Sequence, residues 1–182
     1  MKTLVICGSR NVQGQTAQAV KAVVNGLTKT GALVEQVFLP ELNIERCRQC
    51  EDSGWGLCLK EGKCVINDDL PKLVKNLSEV DNFVIATPVY FSDLSESLRA
   101  FTDRLRRICR NEQGRKSMQR KPMLGVCVAG GGGGGAPACC VSLEKTMGHS
   151  GFDVLDMIPV RRQNLLEKLP MLEQTGEWFA AE

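Results

Sequence analysis

The sequence has very few of the side chains that usually perform acid–base catalysis. Among its 182 residues there is a single histidine, His149, and a single tyrosine. His149 lies near the end of a predicted helix without an evident acidic partner, and no pattern in the sequence resembles a nucleophile paired with a base. We therefore assign no catalytic side chain.

Long apolar runs are also missing. No stretch reaches the roughly 18 consecutive apolar residues that a membrane-spanning helix needs. Met1 and Lys2 run directly into a predicted strand and leave no room for a signal peptide, so we expect a cytoplasmic protein. The net charge is only +2, and the basic residues are not interleaved with aromatic residues, so nucleic-acid binding is not indicated.

What is present is the composition of an ordinary globular protein, with 43% hydrophobic and 24% charged residues. The length favours a single domain over residues 1–182. Charge is concentrated in one stretch, because residues 104–121 hold eight Lys or Arg against the single acidic residue Glu112. Such a run is usually a solvated face, and it is also suited to attract an acidic redox partner or a phosphorylated cofactor.

Apolar runs alternate with helical patterns along the chain. Five runs rich in Val, Ile, Leu and Phe predict short buried strands, at residues 3–7, 33–39, 82–87, 123–129 and 152–158. Helical patterns lie between them, at residues 16–30, 70–77, 94–109 and 138–150. A last pattern, Leu165–Phe179, contains Pro170 and Gly176, so we predict a broken or short helix there. Such units predict an α/β fold with a parallel sheet and helices on both faces.

The first predicted strand is followed by a turn rich in small and polar residues, Gly8-Ser-Arg-Asn-Val-Gln-Gly-Gln-Thr16. It contains neither the P-loop pattern nor Gly-x-Gly-x-x-Gly, so neither of those nucleotide sites is indicated. A strand, a tight turn and a helix start, in that order, present backbone amides and hydroxyls to a phosphate. The candidate phosphate ligands are Ser9, Asn11, Gln15 and Thr16. The alternative is an ordinary strand-to-helix turn.

Two more loops belong to the same edge of the predicted sheet. In a parallel sheet of this kind, a ligand binds beyond the carboxyl ends of the strands. Residues 87–95 include Tyr90 and Phe91, and residues 130–135 are all glycine. An aromatic loop and a loop without side chains, opposite a phosphate turn, predict a slot for a flat ring. The alternative is that the first loop is core packing and the glycines are a linker, although a linker is not expected between two buried elements.

Four motifs lie in order within about the first 160 residues: Gly8-Ser-x-x-x-x-Gly-x-Thr16, Thr87-Pro-Val-Tyr-Phe91, Leu98-x-x-Phe-x-Asp-Arg104 and Ala129-Gly-Gly-Gly132. Together they resemble the NADPH-dependent FMN reductase family, and more narrowly its iron–sulfur flavoprotein branch. The resemblance implies a flavodoxin-like three-layer sandwich with strand order 2-1-3-4-5 and a tightly bound FMN. The family often carries Arg at the position of Asn11, whereas here the arginine is Arg10.

The resemblance also implies a role for each loop. Ser9, Asn11, Gln15 and Thr16 would hold the FMN phosphate. The flavin would be bordered by Pro88, Val89, Tyr90 and Phe91. Its isoalloxazine would be approached by Gly130, Gly131 and Gly132.

The function that the resemblance implies is that of an FMN-dependent oxidoreductase, which passes electrons from NAD(P)H to a quinone, a flavin or a protein acceptor. Because FMN performs such chemistry itself, few ionisable side chains are needed. An alternative is an iron–sulfur flavoprotein that acts as an electron-transfer carrier. A third is a redox-sensing or structural protein. Family members usually complete the flavin pocket across a subunit contact, so we expect a homodimer or homotetramer.

Four of the nine cysteines lie in one loop, at residues 46–68, with the pattern Cys47-x2-Cys50-x7-Cys58-x5-Cys64. A disulfide framework is not expected in a cytosolic chain. Four thiolates suit a [4Fe–4S] cluster, one per iron, and equally a tetrahedral zinc ion. The third interpretation is free or reversibly oxidised thiols. In the iron–sulfur flavoproteins that the chain resembles, two residues rather than seven separate the second and third cysteines.

Overall fold

One parallel sheet of five strands organises the computed structural model, which describes residues 1–116 and 118–182. The strand order is β2-β1-β3-β4-β5, so the predicted flavodoxin-like fold is confirmed. The strands are β1 (Lys2–Cys7), β2 (Leu33–Phe38), β3 (Asn82–Pro88), β4 (Pro122–Ala129) and β5 (Asp153–Arg161). The last strand extends three residues beyond its prediction, because it pairs with β4 along the whole of that strand.

The helices cover both faces of the sheet. They are α1 (Gln15–Lys29), α2 (Leu57–Lys60), α3 (Leu70–Glu79), α4 (Glu96–Ile108), α5 (Glu112–Lys116), α6 (Ala136–His149) and α7 (Leu165–Phe179). Alternate residues of β1 point to opposite faces of the sheet. Leu4 packs in the core with α3, α4 and α6, whereas Val5 packs in the core with α1 and α7. Among the residues that the structure describes, no helix has both the length and the apolar character needed to cross a membrane.

The prediction of a broken or short last helix is wrong, because α7 runs without interruption from Leu165 to Phe179. Its Gly176 lies directly against α1: a Cβ there would stand 2.2 Å from the carbonyl oxygen of Val23. On α1, a Cβ at Gly26 would stand 1.9 Å from the carbonyl oxygen of Glu173. Gly176 is therefore a close-packing residue rather than a helix breaker. Burial of this helix against α1 outweighs the hydrogen bond that Pro170 removes.

Candidate functional site

The loops after β1, β3 and β4 meet in one open cleft at the carboxyl edge of the sheet, with a volume of about 720 Å³. All eleven residues selected from the sequence for the flavin lie on its wall: Ser9, Asn11, Gln15, Thr16, Pro88, Val89, Tyr90, Phe91, Gly130, Gly131 and Gly132. Five neighbours that were not selected complete the wall: Gly14, Ser92, Val128, Gly133 and Gly134. Each lies within two positions of a selected residue along the chain, and this proximity is the signal that could have identified it. Their roles as flavin ligands stay predictions.

The end of this cleft where a phosphate is predicted to bind is the N-terminus of α1. Gly14 precedes the helix and supplies no side-chain cap, and the first turn contains no acidic residue. The first backbone amides of the helix therefore have no partner within it, and they carry the positive end of the helix dipole. Thr16 is buried in this turn, and the Ser9 hydroxyl is held by the Asn11 amide at 3.2 Å. These groups fit a phosphate dianion.

No formal charge lies on the wall of the described cleft, since all sixteen lining residues are neutral. Arg10, the arginine nearest in sequence to the expected phosphate-binding position, is exposed and does not line the cleft. Backbone amides and hydroxyls are therefore the groups that this cleft offers to a phosphate.

Serine and threonine hydroxyls fix the turn after β1 to the start of α4. The Ser95 and Ser97 hydroxyls both donate to the Gly8 carbonyl oxygen, at 3.0 Å and 3.1 Å. The Thr87 hydroxyl donates to Ser95 Oγ at 3.2 Å. A Cβ at Gly8 would stand 2.6 Å from Ser95 Oγ, so the turn needs glycine there. The sequence did not reveal these two serines as supports of the turn, because the contact joins residues almost ninety positions apart.

The aromatic rim of the cleft is a tight hairpin. Tyr90 and Asp93 exchange backbone hydrogen bonds of 3.0 Å and 2.9 Å, which leaves Phe91 and Ser92 at the tip. Both tip residues have positive φ, 49° and 65°, a conformation that is strained for a residue with a side chain. Phe91 is fully exposed. The rim is thus held in a high-energy turn that projects an aromatic ring into solvent.

Asp93 holds this hairpin in place. Its carboxylate accepts hydrogen bonds from the Leu94 amide and the Ser142 hydroxyl, each at 2.8 Å, and it pairs with Arg99. Burial raises the pKa of Asp93, but these hydrogen bonds and the Arg99 charge outweigh it, so the pKa lies below its ordinary value. The aromatic loop is therefore attached to both α4 and α6.

The glycine loop after β4 has open space beside two of its residues. A Cβ at Gly131 or Gly132 would have no atom within 4 Å, whereas one at Gly133 would stand 2.1 Å from the Gln163 side chain. The Gln163 amide donates to the Gly132 carbonyl oxygen at 3.1 Å and so supports the loop. Space for a ring edge therefore lies beside Gly131 and Gly132.

A second site lies beside α4, on one face of the sheet. All four loop cysteines, Cys47, Cys50, Cys58 and Cys64, line one small cavity of about 20 Å³ together with Arg104 and Arg107. All four thiols are free and half-buried. We call this the cysteine cavity.

Arg104 connects the loop to α4. Its side chain and that of Asp68 are both buried, and the two form a bidentate ion pair. The guanidinium also donates to the Glu45 carbonyl oxygen at 3.0 Å and to Cys64 Sγ at 3.2 Å. Burial raises the pKa of Asp68, but the Arg104 hydrogen bonds and two backbone amides outweigh it and hold the pKa below its ordinary value.

Arg107 lies one turn further along α4. Its guanidinium carbon is 4.6 Å from the centre of the Trp55 ring, and Nη1 donates to the Gly54 carbonyl oxygen at 2.7 Å. Within the described residues, the buried side-chain nitrogen and oxygen atoms that lack a hydrogen-bond partner are Arg104 Nε and Arg107 Nε. Both unpartnered donors belong to residues that line the cysteine cavity.

These donors fit an anionic sulfur group. A [4Fe–4S] cluster takes one thiolate per iron, and four cysteines share this cavity. Buried guanidinium donors without acceptors indicate that a negatively charged acceptor belongs there. No set of three or more His, Cys, Asp or Glu side chains in residues 1–116 and 118–182 is arranged to hold a single metal ion. The ligands of a four-iron cluster bind different irons, so they need not converge on one point.

The chain matches a known protein family. The model of the NADPH-dependent FMN reductase family matches residues 1–168. The chain belongs to that family. The match includes the three cleft loops and the cysteine loop, which all lie before residue 168.

Proteins similar to this chain include iron–sulfur flavoproteins. One from Methanocaldococcus jannaschii is 32% identical over 106 residues, which cover 58% of this chain and 52% of that protein. Another from the same organism is 29% identical over 161 residues, covering 88% of this chain and 75% of that one. The chain spans about half the length of the first of these relatives.

Solved structures agree on the fold. An NAD(P)H:quinone oxidoreductase from Methanothermobacter marburgensis superposes with a TM-score of 0.69 at 18% identity, covering 97% of this chain and 94% of that one. An archaeal flavodoxin superposes with a TM-score of 0.60 at 15% identity, and the match covers 100% of both chains. At these identities the likeness establishes the flavodoxin-like fold.

The basic stretch at residues 104–121 does not form one surface. Arg104 and Arg107 face the cysteine loop. Lys121 lies at the other edge of the sheet, where its ammonium donates to the carbonyl oxygens of Ser78 and Val80, just before β3 begins. The end of the stretch is therefore remote from the cleft within one chain, and steering of a phosphorylated cofactor is not supported for it.

Proposed function

We propose that this chain is an FMN-dependent oxidoreductase that passes electrons from NAD(P)H to a quinone, a flavin or a protein acceptor. The observation that supports it most directly is the meeting of three separate loops in one neutral cleft at the carboxyl edge of the sheet. FMN, when bound, supplies the chemistry by accepting electrons from the nicotinamide and releasing them to the acceptor. Membership of the NADPH-dependent FMN reductase family supports both cofactors.

The residues of the chain would bind and orient rather than react. The amides that begin α1, with Ser9 and Thr16, would hold the phosphate. Backbone amides of Gly130–Gly132 would approach the polar edge of the ring, because no Cβ stands in the way. Tyr90 and Phe91 would border the ring and exclude water from one side of it.

A spectrum of protein purified without oxygen tests this proposal, with NADH and NADPH oxidation followed on the same sample in the presence of a quinone. We expect flavin absorbance and nicotinamide oxidation that depends on the quinone. Protein that binds no FMN even after reconstitution would contradict the proposal. Bound FMN without nicotinamide oxidation would contradict the reductase function and favour an electron-transfer carrier.

The second candidate is an electron-transfer carrier that holds FMN and a [4Fe–4S] cluster. It is favoured by the four cysteines that line one cavity beside two unpartnered guanidinium donors. Such a cluster, when bound by Cys47, Cys50, Cys58 and Cys64, supplies one-electron transfer. Iron, zinc and acid-labile sulfide should be assayed on the anaerobic sample. About four irons and four sulfides per chain would support the cluster, whereas one zinc or no metal would contradict it.

We also propose that the chain is a single domain that works in the cytoplasm as a homodimer or homotetramer. Nine free cysteines without a disulfide suit a reducing compartment. The exposed Phe91 ring at the rim of the cleft suits a cleft that a second subunit completes. Light scattering of the purified protein tests the oligomeric state, and a monomer at all concentrations would contradict it.

A further inference from the structure

Three arginines line the cysteine cavity, and they differ in how their charges are compensated. Arg48 pairs with Glu45 at 2.7 Å. Arg104 is neutralised by the buried carboxylate of Asp68, so its contribution is to hold the loop. Arg107 forms no ion pair with any carboxylate in the part of the chain that the structure describes. It therefore brings an uncompensated positive charge to the wall of the cavity.

The surroundings of Arg107 strengthen that charge. The Trp55 ring lies against the guanidinium, with 4.6 Å between the guanidinium carbon and the ring centre. The Nε atom is buried and lacks an acceptor, although unsatisfied buried donors are rare in folded proteins. Because Arg107 is half-buried, its charge is screened less than that of a fully exposed side chain. A negatively charged group inside the cavity would compensate the charge of Arg107 and accept a hydrogen bond from its Nε.

We infer that Arg107 compensates the negative charge of the iron–sulfur cluster proposed above and raises its reduction potential. The inference rests on that proposed cluster. A one-electron reduction adds one unit of negative charge to the cluster and neither breaks a bond nor moves a proton. A nearby positive charge stabilises the reduced form more than the oxidised form, because the attraction grows with the negative charge. Arg107 is thus a tuning residue, distinct from the four ligands.

The experiment is a potentiometric titration of the anaerobic holoprotein with dithionite, followed by visible and electron paramagnetic resonance spectra. The variants are Arg107→Gln, which removes the charge, and Arg107→Lys, which keeps it. Arg106→Gln is the matched control, because Arg106 is the neighbouring residue of α4, is exposed and pairs with Asp103 at 3.1 Å. Loss of an exposed charge is screened by water.

In R107Q we expect the ratio of reduced to oxidised cluster at a fixed potential to fall at least about tenfold, which is a shift of about 59 mV for one electron. R107K should stay within about threefold of the unmodified protein and R106Q within about twofold. The FMN potential should not change, since residue 107 lies about 18 Å along α4 from Ser95, which ends the loop assigned to the flavin ring.

Three outcomes overturn the inference. Equal potentials in R107Q and the unmodified protein would show that Arg107 has no electrostatic effect. A shift in R107K as large as in R107Q would assign the effect to the shape of the guanidinium. Unmodified protein that holds FMN but no cluster would end the iron–sulfur proposal and this inference together, while the cleft proposal stands.

Loss of the cluster in one variant is also informative. If R107Q retains no cluster and R107K does, the charge is needed for retention, which supports the inference. If neither variant retains a cluster, the packing of Arg107 against Gly54 and Trp55 is what matters, and the electrostatic role is overturned.

Discussion

The cleft and the cysteine cavity are built in opposite ways. The cleft is open, about 720 Å³ in volume, and is lined by sixteen neutral residues, of which six are glycines. The cavity is about 20 Å³ and is held by the side chains of two arginines on α4. The first therefore follows from the topology of the sheet, whereas the second depends on a few individual contacts. Single substitutions should accordingly damage the cavity more than the cleft.

The largest expected effect is at Asp68. Asp68→Asn leaves the buried Arg104 without its counter-charge, and breaking a buried ion pair costs about 3–5 kcal/mol. Urea denaturation should show a loss of unfolding free energy of that size. Asp103→Asn is the control, because its pair with Arg106 is exposed, and it should cost less than about 1 kcal/mol. Equal stability of the two variants would contradict a special role for the buried pair.

The same pair predicts a pH dependence. The pKa of Asp68 in the folded protein is lower than the unfolded value of about 4. The contribution of this ionisation to stability is therefore present above pH 4 and is lost as the pH falls through the folded pKa. The stability difference between the unmodified protein and D68N should narrow on acidification below about pH 4. A difference that is constant between pH 3 and pH 7 would contradict this.

The next effect concerns the phosphate end of the cleft. Ser9→Ala combined with Thr16→Val removes two hydroxyls from the turn while the backbone amides remain. Hydrogen bonds to a charged group contribute about 1.5 kcal/mol or more each, so the Kd for FMN should rise about 100-fold. Quenching of flavin fluorescence measures it. Riboflavin lacks the phosphate, so its Kd should not change. An equal loss for both flavins would refute the phosphate assignment.

A smaller effect is expected at the glycine loop. Gly132→Ala adds a methyl group that meets no atom within 4 Å, so stability should stay within about 0.5 kcal/mol. The methyl group enters the space assigned to the ring, and such crowding costs about 1–3 kcal/mol, which weakens FMN binding about tenfold or more. Gly148→Ala on α6 also meets no atom and is the control. Unchanged FMN affinity in G132A would place the ring elsewhere.

The sequence predicted the cleft better than the cysteine cavity, because the cleft follows from the topology of the sheet and the cavity from individual contacts. Apolar runs and crossover handedness fix which strand ends meet, so the cleft loops were identified from residues close together in the chain. Gly176 was misread as a helix breaker because its contact with Val23 is long-range. The partners of the cysteine loop were not identified for the same reason. Cys64 and Arg104 are 40 positions apart, and Gly54 and Arg107 are 53 apart.

The smallest expected effect concerns an exposed ion pair of the cysteine loop. It tests whether every ion pair of that loop stabilises the protein, or only the buried pair of Arg104 and Asp68. Lys60 pairs with Glu51 at 2.9 Å, and both side chains are more than half exposed. Exposed pairs contribute about 0.2–1 kcal/mol, because water screens the charges and the long side chains lose entropy. Lys60→Ala should therefore change stability in urea by less than about 1 kcal/mol and leave the metal content unaltered. If K60A were as unstable as D68N, exposed ion pairs would stabilise the loop as much as the buried pair of Arg104 and Asp68, and the contrast between the two regions would not rest on that pair.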